Sequence, residues 1–261
     1  MGSATRSSLS AIDAAVAALG AKATAKVGAE VLDAAAVFAS SGQLRAVLTD
    51  PAIDPAAKRS LIDRVLPKAS AAARSLVADH TALRWSSDDD LVDALEHTGI
   101  RLTSSGHENR VLEDLFRLEN AIGQNPELEL ALGSRLGDGA AKAALIDRVL
   151  GSAADEATVT VLSHLVAVPR GRRLRGMIRD AIAAVSEQAG VTVVTVTVAR
   201  PLSAKQRASI ESSLAARYGS DLKLHEIIDP AVLGGVRIQV GGDVIDGTVA
   251  SRINDLRLQL A

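Results

Sequence analysis

The chain has 261 residues, of which 48% are hydrophobic, 23% charged and 2% aromatic, so a packed core is expected and a disordered polypeptide is excluded. Its 31 acidic and 29 basic residues give a formal charge of -2, which excludes the broad positive field of a nucleic-acid-binding protein. Cysteine is absent, so disulfides and thiolate metal sites are excluded.

The first ten residues are small and polar, and no apolar stretch approaches the roughly 20 residues that cross a bilayer. We therefore expect neither a signal peptide nor direct membrane insertion. The absence of cysteine is typical of a reducing compartment, and the cytoplasm is the expected location.

Residues 1–189 have the pattern of helices joined by short loops. Because aromatic residues are scarce, the core of these helices is expected to consist of Ala, Val, Leu and Ile. Asp54 and Pro55 are suited to the N-cap and first position of a helix, which Pro67 then ends. The other predicted helices are Ala11–Leu19, Val27–Ser40, Ala69–Leu83, Asp88–Leu102, Glu108–Ile122, Asp155–Val168 and Arg172–Gln188.

An internal repeat lies within the helical part. Residues 44–66 align without gaps on residues 128–150, and the hexapeptide Leu61–Leu66 recurs unchanged as Leu145–Leu150. We call the shift that carries Leu44 onto Leu128 the repeat offset. Two similar Ala-rich amphipathic helices would explain the shared composition, but not an identical hexapeptide at a fixed offset. The sequence therefore predicts a duplicated helical unit, in which the repeat offset also carries His80 onto His164 as an equivalent position.

The pattern changes at Gly190. Val191–Val198 is dense in β-branched residues and predicts a strand, and Ser203 with Gln206 forms a capping box that begins a helix. Two further strands are predicted at Leu222–Ile228 and Val236–Val240. A last helix has an apolar stripe that we expect to face the sheet. The stripe consists of Val249, Ile253, Leu256 and Leu260.

These elements predict an α+β fold with two domains. Residues 1–189 are expected to form a large all-α helical bundle that contains the duplication. Residues 190–261 are expected to form a small β-α-β-β-α domain.

Catalytic, cofactor-binding and metal-binding sites are not expected. The five histidines show no i, i+4 pair and no zincin spacing. The glycines between residues 234 and 247 lack the motifs of a phosphate-binding loop, and turn glycines are favoured. No nucleophile is placed beside a base in a recognisable motif. The histidines are His80, His97, His107, His164 and His225.

Two charge clusters have competing interpretations. Asp88, Asp89 and Asp90 resemble a carboxylate site, but their position at a predicted helix start favours stabilisation of the helix N-terminus. Five arginines between Arg170 and Arg179 could form a solvated face or meet an acidic protein partner. Nucleic acid is less favoured, because no aromatic residues are interleaved for base stacking.

The residues after Ile228 carry a family resemblance. Asp229-Pro230, then Gly234-Gly235 before a short strand, a glycine turn, and Asp246-Gly247 leading into the last helix resemble the closing signature of the ATP synthase delta subunit family, called OSCP in mitochondria. The whole stretch from Val191 onwards resembles this family well. The helical part is less similar, and its length resembles the enlarged actinobacterial form.

The resemblance implies a non-catalytic peripheral-stalk, or stator, subunit of the F-type proton-transporting ATP synthase. The implied partners are the N-terminal helices of alpha subunits, bound in grooves of the helical domain, and the b subunit, bound by the C-terminal domain. The complex would place the chain on the cytoplasmic face of the plasma membrane, where it resists the torque of the rotor. The turns at Asp229, Pro230, Gly234, Gly235, Asp246 and Gly247 would present the b-binding domain.

Two other function classes stay open from the residues alone. One is a helical adaptor or scaffold protein of another complex. The other is a nucleotide-handling enzyme, which would be stabilised by ATP or ADP.

Overall fold

A computed structural model describes residues 2–134, 139–150, 154–219, 221–241 and 243–253. The part before residue 190 is helical, and a 3-10 turn, Gly20–Lys22, follows its first helix. The helices in this part are α1 Ser3–Leu19, α2 Ala25–Ser40, α3 Gly42–Thr49, α4 Pro55–Val65, α5 Ala71–Ala82, α6 Asp88–Ser104, α7 Glu108–Gln124, α8 Pro126–Gly133, α9 Gly139–Leu150, α10 Glu156–Ala167 and α11 Leu174–Ala189.

The helix starts follow local capping chemistry. Asp54 caps α4 and Pro55 occupies its first turn, as the sequence predicts. Ser70 and Ser87 each accept a hydrogen bond from the backbone N–H three residues later and so cap α5 and α6. The three aspartates Asp88–Asp90 lie in the first turn of α6, where their charge favours the helix dipole, so this prediction is confirmed.

The helix bounds recur along the chain. When the repeat offset is added to the residue numbers of α1, α2, α3, α4 and α5, their bounds nearly coincide with those of α6, α7, α8, α9 and α10 in turn. The same shift brings the bounds of α6 close to those of α11. Helix α6 is therefore the last member of one set of six helices and the first member of the next. Helices α1, α6 and α11 occupy the same position in successive sets.

The helical core has two clusters that meet at α2 and α6. One cluster is built mainly from α2 to α6, and the other from α7 to α11 together with Leu32 and Ile100. Helices α2 and α6 approach closely because both carry a glycine at the contact. A Cβ atom on Gly28 would lie 2.3 Å from the backbone N of Thr103, and one on Gly99 would lie 2.7 Å from Leu32. Larger side chains there would force the helices apart.

The part after residue 190 is a four-stranded sheet with one helix between its first two strands. The elements are β1 Thr192–Val198, α12 Ala204–Tyr218, β2 Leu222–Ile228, β3 Val236–Val240 and β4 Asp243–Asp246. The strand order is β2-β1-β3-β4, with β1 parallel to β2 and antiparallel to β3, and β3 antiparallel to β4. The predicted capping box of Ser203 and Gln206 begins α12. Residues 249–253 are helical.

The α+β fold class is confirmed. The sheet differs from the prediction in one respect, because residues 243–246 pair along β3 and form a fourth strand where three were predicted. Val194, Val196 and Val198 of β1 are buried under Leu214 of α12 and form a small third core. Alternate residues of a strand face the same side, so these valines face α12. Val193 lies on the other side of the sheet, which packs against the helical part of the chain.

No single helix in the described ranges combines the length and apolarity needed to cross a bilayer. One pair, Ala25–Ser40 with Gly42–Thr49, passes that test together but is bent by 109°.

Candidate functional site

The predicted signature residues form two turn systems at one end of the sheet. Asp229 ends β2, where its N–H donates to the Val198 carbonyl at 2.9 Å. Its carboxylate accepts a hydrogen bond from the Ala231 N–H at 2.9 Å, and Pro230 is exposed at the turn. The turn therefore starts the return of the chain towards β3, on the far side of β1.

The glycine pair and the Asp246 turn cross each other closely. Gly235 has a φ of 84°, and a Cβ atom there would lie 2.4 Å from the Gly247 carbonyl oxygen. The Gly247 N–H donates to the Val236 carbonyl at 2.9 Å, and the Val249 N–H donates to the Gly234 carbonyl at 3.0 Å. Only a residue without a side chain fits at position 235, because both the dihedral angle and the space exclude one.

Asp246, the last residue of β4, shapes the turn that leads into the last helix. Its carboxylate accepts a hydrogen bond from the Thr248 N–H at 3.0 Å, and hydrogen bonding from the side chain and backbone of Thr248 holds the pKa of Asp246 below its ordinary value. The Thr248 hydroxyl in turn accepts a hydrogen bond from the Ser251 N–H at 3.2 Å. Both signature carboxylates, Asp229 and Asp246, are thus engaged in shaping turns.

The surface beside these turns is apolar and exposed. Leu233 is 79% exposed, Val244 is 48% exposed, and Val249 and Ile253 are 43% and 45% exposed. Val249 and Ile253 belong to the stripe of the last helix that the sequence predicts to face the sheet, and both keep nearly half of their surface exposed. Leu256 and Leu260 lie outside the described residues. Among the exposed side chains, Val249 lies beside the turn that holds Leu233, since its N–H donates to the Gly234 carbonyl, and exposed apolar side chains that lie together are typical of a protein-binding surface.

The sheet is joined to the helices through buried groups that sequence reasoning missed. His225 of β2 is 2% exposed and stacks on Phe116 of α7, with ring centroids 4.1 Å apart. Its Nε2 atom lies 3.0 Å from the Glu119 carboxylate, which also accepts a hydrogen bond from Arg179 at 2.9 Å. Burial raises the pKa of Glu119, but the bonds from His225 and Arg179 outweigh it and lower that pKa overall.

A second buried network lies on α6. Glu96 is 4% exposed and accepts two hydrogen bonds from Arg172, at 2.6 and 2.8 Å, in the bidentate arrangement that favours an arginine-carboxylate pair. His164 and Arg170 lie 3.3 and 3.5 Å from the same carboxylate. Burial raises the pKa of Glu96, but the bonds from His164 and Arg172 and the charges of Arg172 and Arg170 dominate and lower it to about 2.

The arginine cluster therefore has a role that neither sequence interpretation gave. Arg170 and Arg172 pair with acidic residues of α6, Arg175 pairs with Glu129 at 3.1 Å, and Arg179 pairs with Glu119. These ion pairs link α11 and the segment directly before it to α6, α7 and α8. Arg170 and Arg172 are largely buried against α6, contrary to the solvated face, whereas the side chains of Arg175 and Arg179 stay 38% and 63% exposed.

The histidines of the repeat both bond towards α6. His80 is fully buried, with Nε2 3.0 Å from the Thr98 hydroxyl and Nδ1 2.7 Å from the Leu76 carbonyl. Burial lowers the pKa of His80 to about 4. His164 bonds Glu96 instead. Within the described ranges, no group of three or more His, Cys, Asp or Glu side chains is placed to hold a metal ion.

The sequence model of the family described as "ATP synthase delta (OSCP) subunit" matches residues 101–260, more than half of the chain. The chain belongs to the ATP synthase delta (OSCP) subunit family. The matched region begins within α6 and includes the sheet. Family membership makes the chain a non-catalytic, peripheral-stalk subunit of ATP synthase and a peripheral component of that membrane-associated complex.

Curated delta subunits of actinobacteria are similar over most of the chain. The "ATP synthase subunit delta" of Leifsonia xyli subsp. xyli is 46% identical over 263 residues, which cover 100% of both chains. That of Streptomyces coelicolor is 38% identical over 84% of this chain and 82% of its own. That of Acidothermus cellulolyticus is 36% identical over 93% and 90%. The resemblance to an enlarged actinobacterial form of the OSCP family is confirmed.

Among solved structures, a chain of the Toxoplasma gondii mitochondrial ATP synthase hexamer is 22% identical and covers 64% of this chain and 96% of its own length. Its TM-score is 0.39, and nothing further follows from a likeness at that level.

Proposed function

We propose that the chain ties the alpha/beta catalytic head of ATP synthase to the b stalk and thereby resists the torque of the rotor. The observation that supports this role is the continuous packing from α1 to the sheet. Arg172, which directly precedes α11, pairs with the buried Glu96 of α6, and Arg179 of α11 pairs with the buried Glu119 of α7. The buried His225 joins α7 to β2. A strut has to transmit force without deforming, and densely packed interiors with low compressibility do so.

The chain divides, in this proposal, into a helical domain of residues 1–189 and a sheet domain of residues 190–261. The helical domain contains a duplicated unit. Two pairs of contacts support duplication. Lys58 and Lys142, which the repeat offset relates, each donate to a carbonyl near the end of a later helix. The carboxylates of Glu30 and Asp114, related in the same way, accept hydrogen bonds from the N-terminal ends of α5 and α10.

In this proposal the helical domain binds the catalytic head, and the sheet domain binds the b subunit of the stalk. Two helical units with apolar cores suit the binding of N-terminal helices of alpha subunits in a helix-in-groove mode. The exposed apolar side chains of Leu233 and Val249, which lie beside the signature turns, suit the b subunit. The turns at Asp229, Pro230, Gly234, Gly235, Asp246 and Gly247 hold that surface in place. The whole assembly lies at the cytoplasmic face of the plasma membrane.

The decisive test is purification of the native membrane complex through a tag on the full-length chain. Alpha, beta and b chains are expected to copurify in fixed amounts, as judged by mass spectrometry. A different set of partners without any ATP synthase chain would favour the adaptor or scaffold alternative and contradict the proposal.

Surface variants test which domain binds the b subunit and which binds the catalytic head. Leu233→Asp and Val249→Asp are expected to weaken binding of the b subunit and to leave binding of the head unchanged. Val47→Asp is the matched control, since Val47 is an exposed apolar residue, 39% exposed, in the helical part. Loss of head binding with retained b binding in the Leu233 and Val249 variants would reverse the assignment.

A further inference from the structure

Strand β4 forms one edge of the sheet, and no strand among the described residues pairs with its outer side. Val240 and Asp243 flank the two-residue turn between β3 and β4, so they exchange both of their main-chain hydrogen bonds. Bonded and non-bonded pairs alternate along an antiparallel ladder, and Ile238 and Ile245 are therefore bonded as well. The N–H and C=O groups of Val244 consequently point away from the sheet.

The two edges of the sheet differ in how far they are covered. At β2, the edge opposite β4, the Glu226 carbonyl accepts a hydrogen bond from the side chain of Asn120 in α7 at 2.9 Å. All four residues of β4 are exposed, and its two apolar side chains, Val244 and Ile245, are 48% and 38% exposed. An edge strand with outward-facing main-chain groups is a template for pairing with another chain, so β4 is the edge at which such pairing can occur.

An apolar groove lies beside this edge. Ile238 of β3 and Ile245 of β4 line its sheet side, and Ile210 and Leu214 of α12 line its other wall. Ile245 lies opposite Ile238, and Ile238 lies opposite the buried Val196, so both isoleucines face the side of the sheet that α12 covers. A residue opposite Ile245 on a strand added to β4 would face the same side and cover the groove.

A carboxylate lies at each end of β4. Asp243 accepts a hydrogen bond from the Tyr218 hydroxyl at 3.3 Å, and Asp246 accepts one from the Thr248 N–H. Neither carboxylate forms a salt bridge within the described part of the chain, and Arg237, which lies opposite Asp246, stays beyond ion-pair distance. A second copy would bring the same two carboxylates on its own β4, so charge disfavours pairing between copies. A strand with a cation at each end is favoured instead.

We propose that the outer edge of β4 accepts an extended segment of a partner protein as an added strand, in which aliphatic residues are flanked on both sides by Lys or Arg. The main chain of the segment bonds with Val244, and an aliphatic side chain opposite Ile245 covers the groove. The two cations lie beside Asp243 and Asp246. This site uses different side chains from those assigned above to the b subunit, and it does not depend on the proposed function.

The first experiment measures binding of labelled peptides to the full-length chain by fluorescence polarisation. The probe is a peptide of about ten residues with the core Lys-Val-Val-Lys. A twin with glutamates in place of the lysines is expected to bind about tenfold more weakly, by a margin that salt reduces. Each valine is then N-methylated in turn. Adjacent N–H groups of a strand point to opposite sides, so one methylated peptide should lose about tenfold in affinity and the other should bind unchanged.

The second experiment changes the edge itself. Val244→Pro removes the outward N–H, which pairing with β3 does not use, and should weaken binding of the lysine peptide about tenfold. Val244→Thr keeps that N–H and a β-branched side chain, so it is the matched control and should bind as the wild type does. Asp243→Lys should reverse the preference between the two peptides. Asp221→Lys, at an exposed position just before β2, should leave it unchanged. Circular dichroism melting checks that all four variants fold.

Amide exchange of the wild type, followed by NMR, needs no variant. The outward Val244 N–H should exchange rapidly in the free chain and about fivefold more slowly with the lysine peptide bound. The Ile245 N–H is already bonded to β3 and should change less.

Four outcomes would overturn the site. They are equal affinity for the lysine and glutamate peptides, a Val244 exchange rate that the peptide does not alter, slow exchange of that N–H in the free monomer, and dimerisation of the wild type that Val244→Pro abolishes. The third would show that the chain itself already pairs with β4, and the fourth that a second copy does.

Binding of the b subunit to Val244→Pro is measured alongside. Loss of b binding would assign the edge to the b subunit and overturn it as a separate site, whereas unchanged b binding with weakened peptide binding supports it. Failure of the peptide to bind leaves the proposed function untouched, because copurification of the alpha, beta and b chains tests that function separately.

Discussion

Replacement of Glu96 by glutamine tests the buried network that joins the two helical sets. The substitution keeps the volume of the side chain but removes the negative charge that Arg172, Arg170 and His164 share. Two guanidinium groups then face a neutral amide at a site where the native residue is 4% exposed. An unpaired charge in a buried site is strongly unfavourable, so the folded state should lose stability.

The size of the loss follows from the pKa of Glu96. Its lowering from 4.5 to about 2 corresponds to about 3 kcal/mol of folding free energy at neutral pH. A low solvent exposure means that little screening reduces this figure. We therefore expect Glu96→Gln to lower the free energy of unfolding at pH 7 by about 3 kcal/mol.

The pH dependence gives a second, independent readout. A carboxyl group with a lowered pKa in the folded state contributes stability above its unfolded value, here 4.5, and that contribution is lost as the pH falls towards 2. By pH 3 the wild type should have lost about 2 kcal/mol of this contribution, whereas Glu96→Gln has nothing to lose from this site. The two proteins should thus differ less at pH 3 than at pH 7.

Urea unfolding followed by circular dichroism, at pH 7 and at pH 3, measures both quantities. Arg172→Gln and the double variant complete a cycle that isolates the pair, with an expected coupling of about 1.5 to 3 kcal/mol. Equal stability of Glu96→Gln and wild type at pH 7, or a constant difference across the pH range, would refute the role given to the carboxylate.

Three further predictions concern single sites. Gly235→Ala should destabilise the sheet part by more than about 2 kcal/mol, and Gly241→Ala, also at positive φ but with open space around it, by about 1 kcal/mol; equal losses in chemical unfolding would contradict the close crossing. Between pH 6.5 and pH 4 only the unfolded state takes up a proton on His80, so the unfolding free energy of the wild type should fall by about 3 kcal/mol over this range; the same fall in His80→Gln would disprove this. Glu119→Gln should weaken docking of the sheet on α7 and raise hydrogen exchange of the His225 strand first; uniform protection across the chain would argue against a local effect.

Much of the local structure could be predicted because its causes are local. Strands Leu222–Ile228 and Val236–Val240 match residue for residue, since their alternation and flanking turns are set within a few residues. The capping box at Ser203 was equally predictable. The start of α1 was not, because its first turns are Ser- and Thr-rich and are held by distant bonds, such as that of Thr5 with Asp90.

The site could be predicted only in part, for a related physical reason. The glycine turns carry a signature in the sequence, but the ion pairs that organise the helices do not. Arg172 lies 76 residues from Glu96, and His225 lies 106 residues from Glu119, so no local pattern links the partners. The sequence shows that these residues are charged or titratable, but only the fold shows which of them lie together and compensate one another's charge.

The membership of α6 in both helical sets has a mechanical consequence. Two bodies coupled through a linker behave as springs in series, so the softer connection sets how far the ends yield under load. Here the first helix of the second set is α6, which also packs closely against α2 of the first set at Gly28 and Gly99. The two sets are therefore joined by a shared, packed helix and not by a linker. Lengthening the chain in this way adds reach without adding a compliant joint.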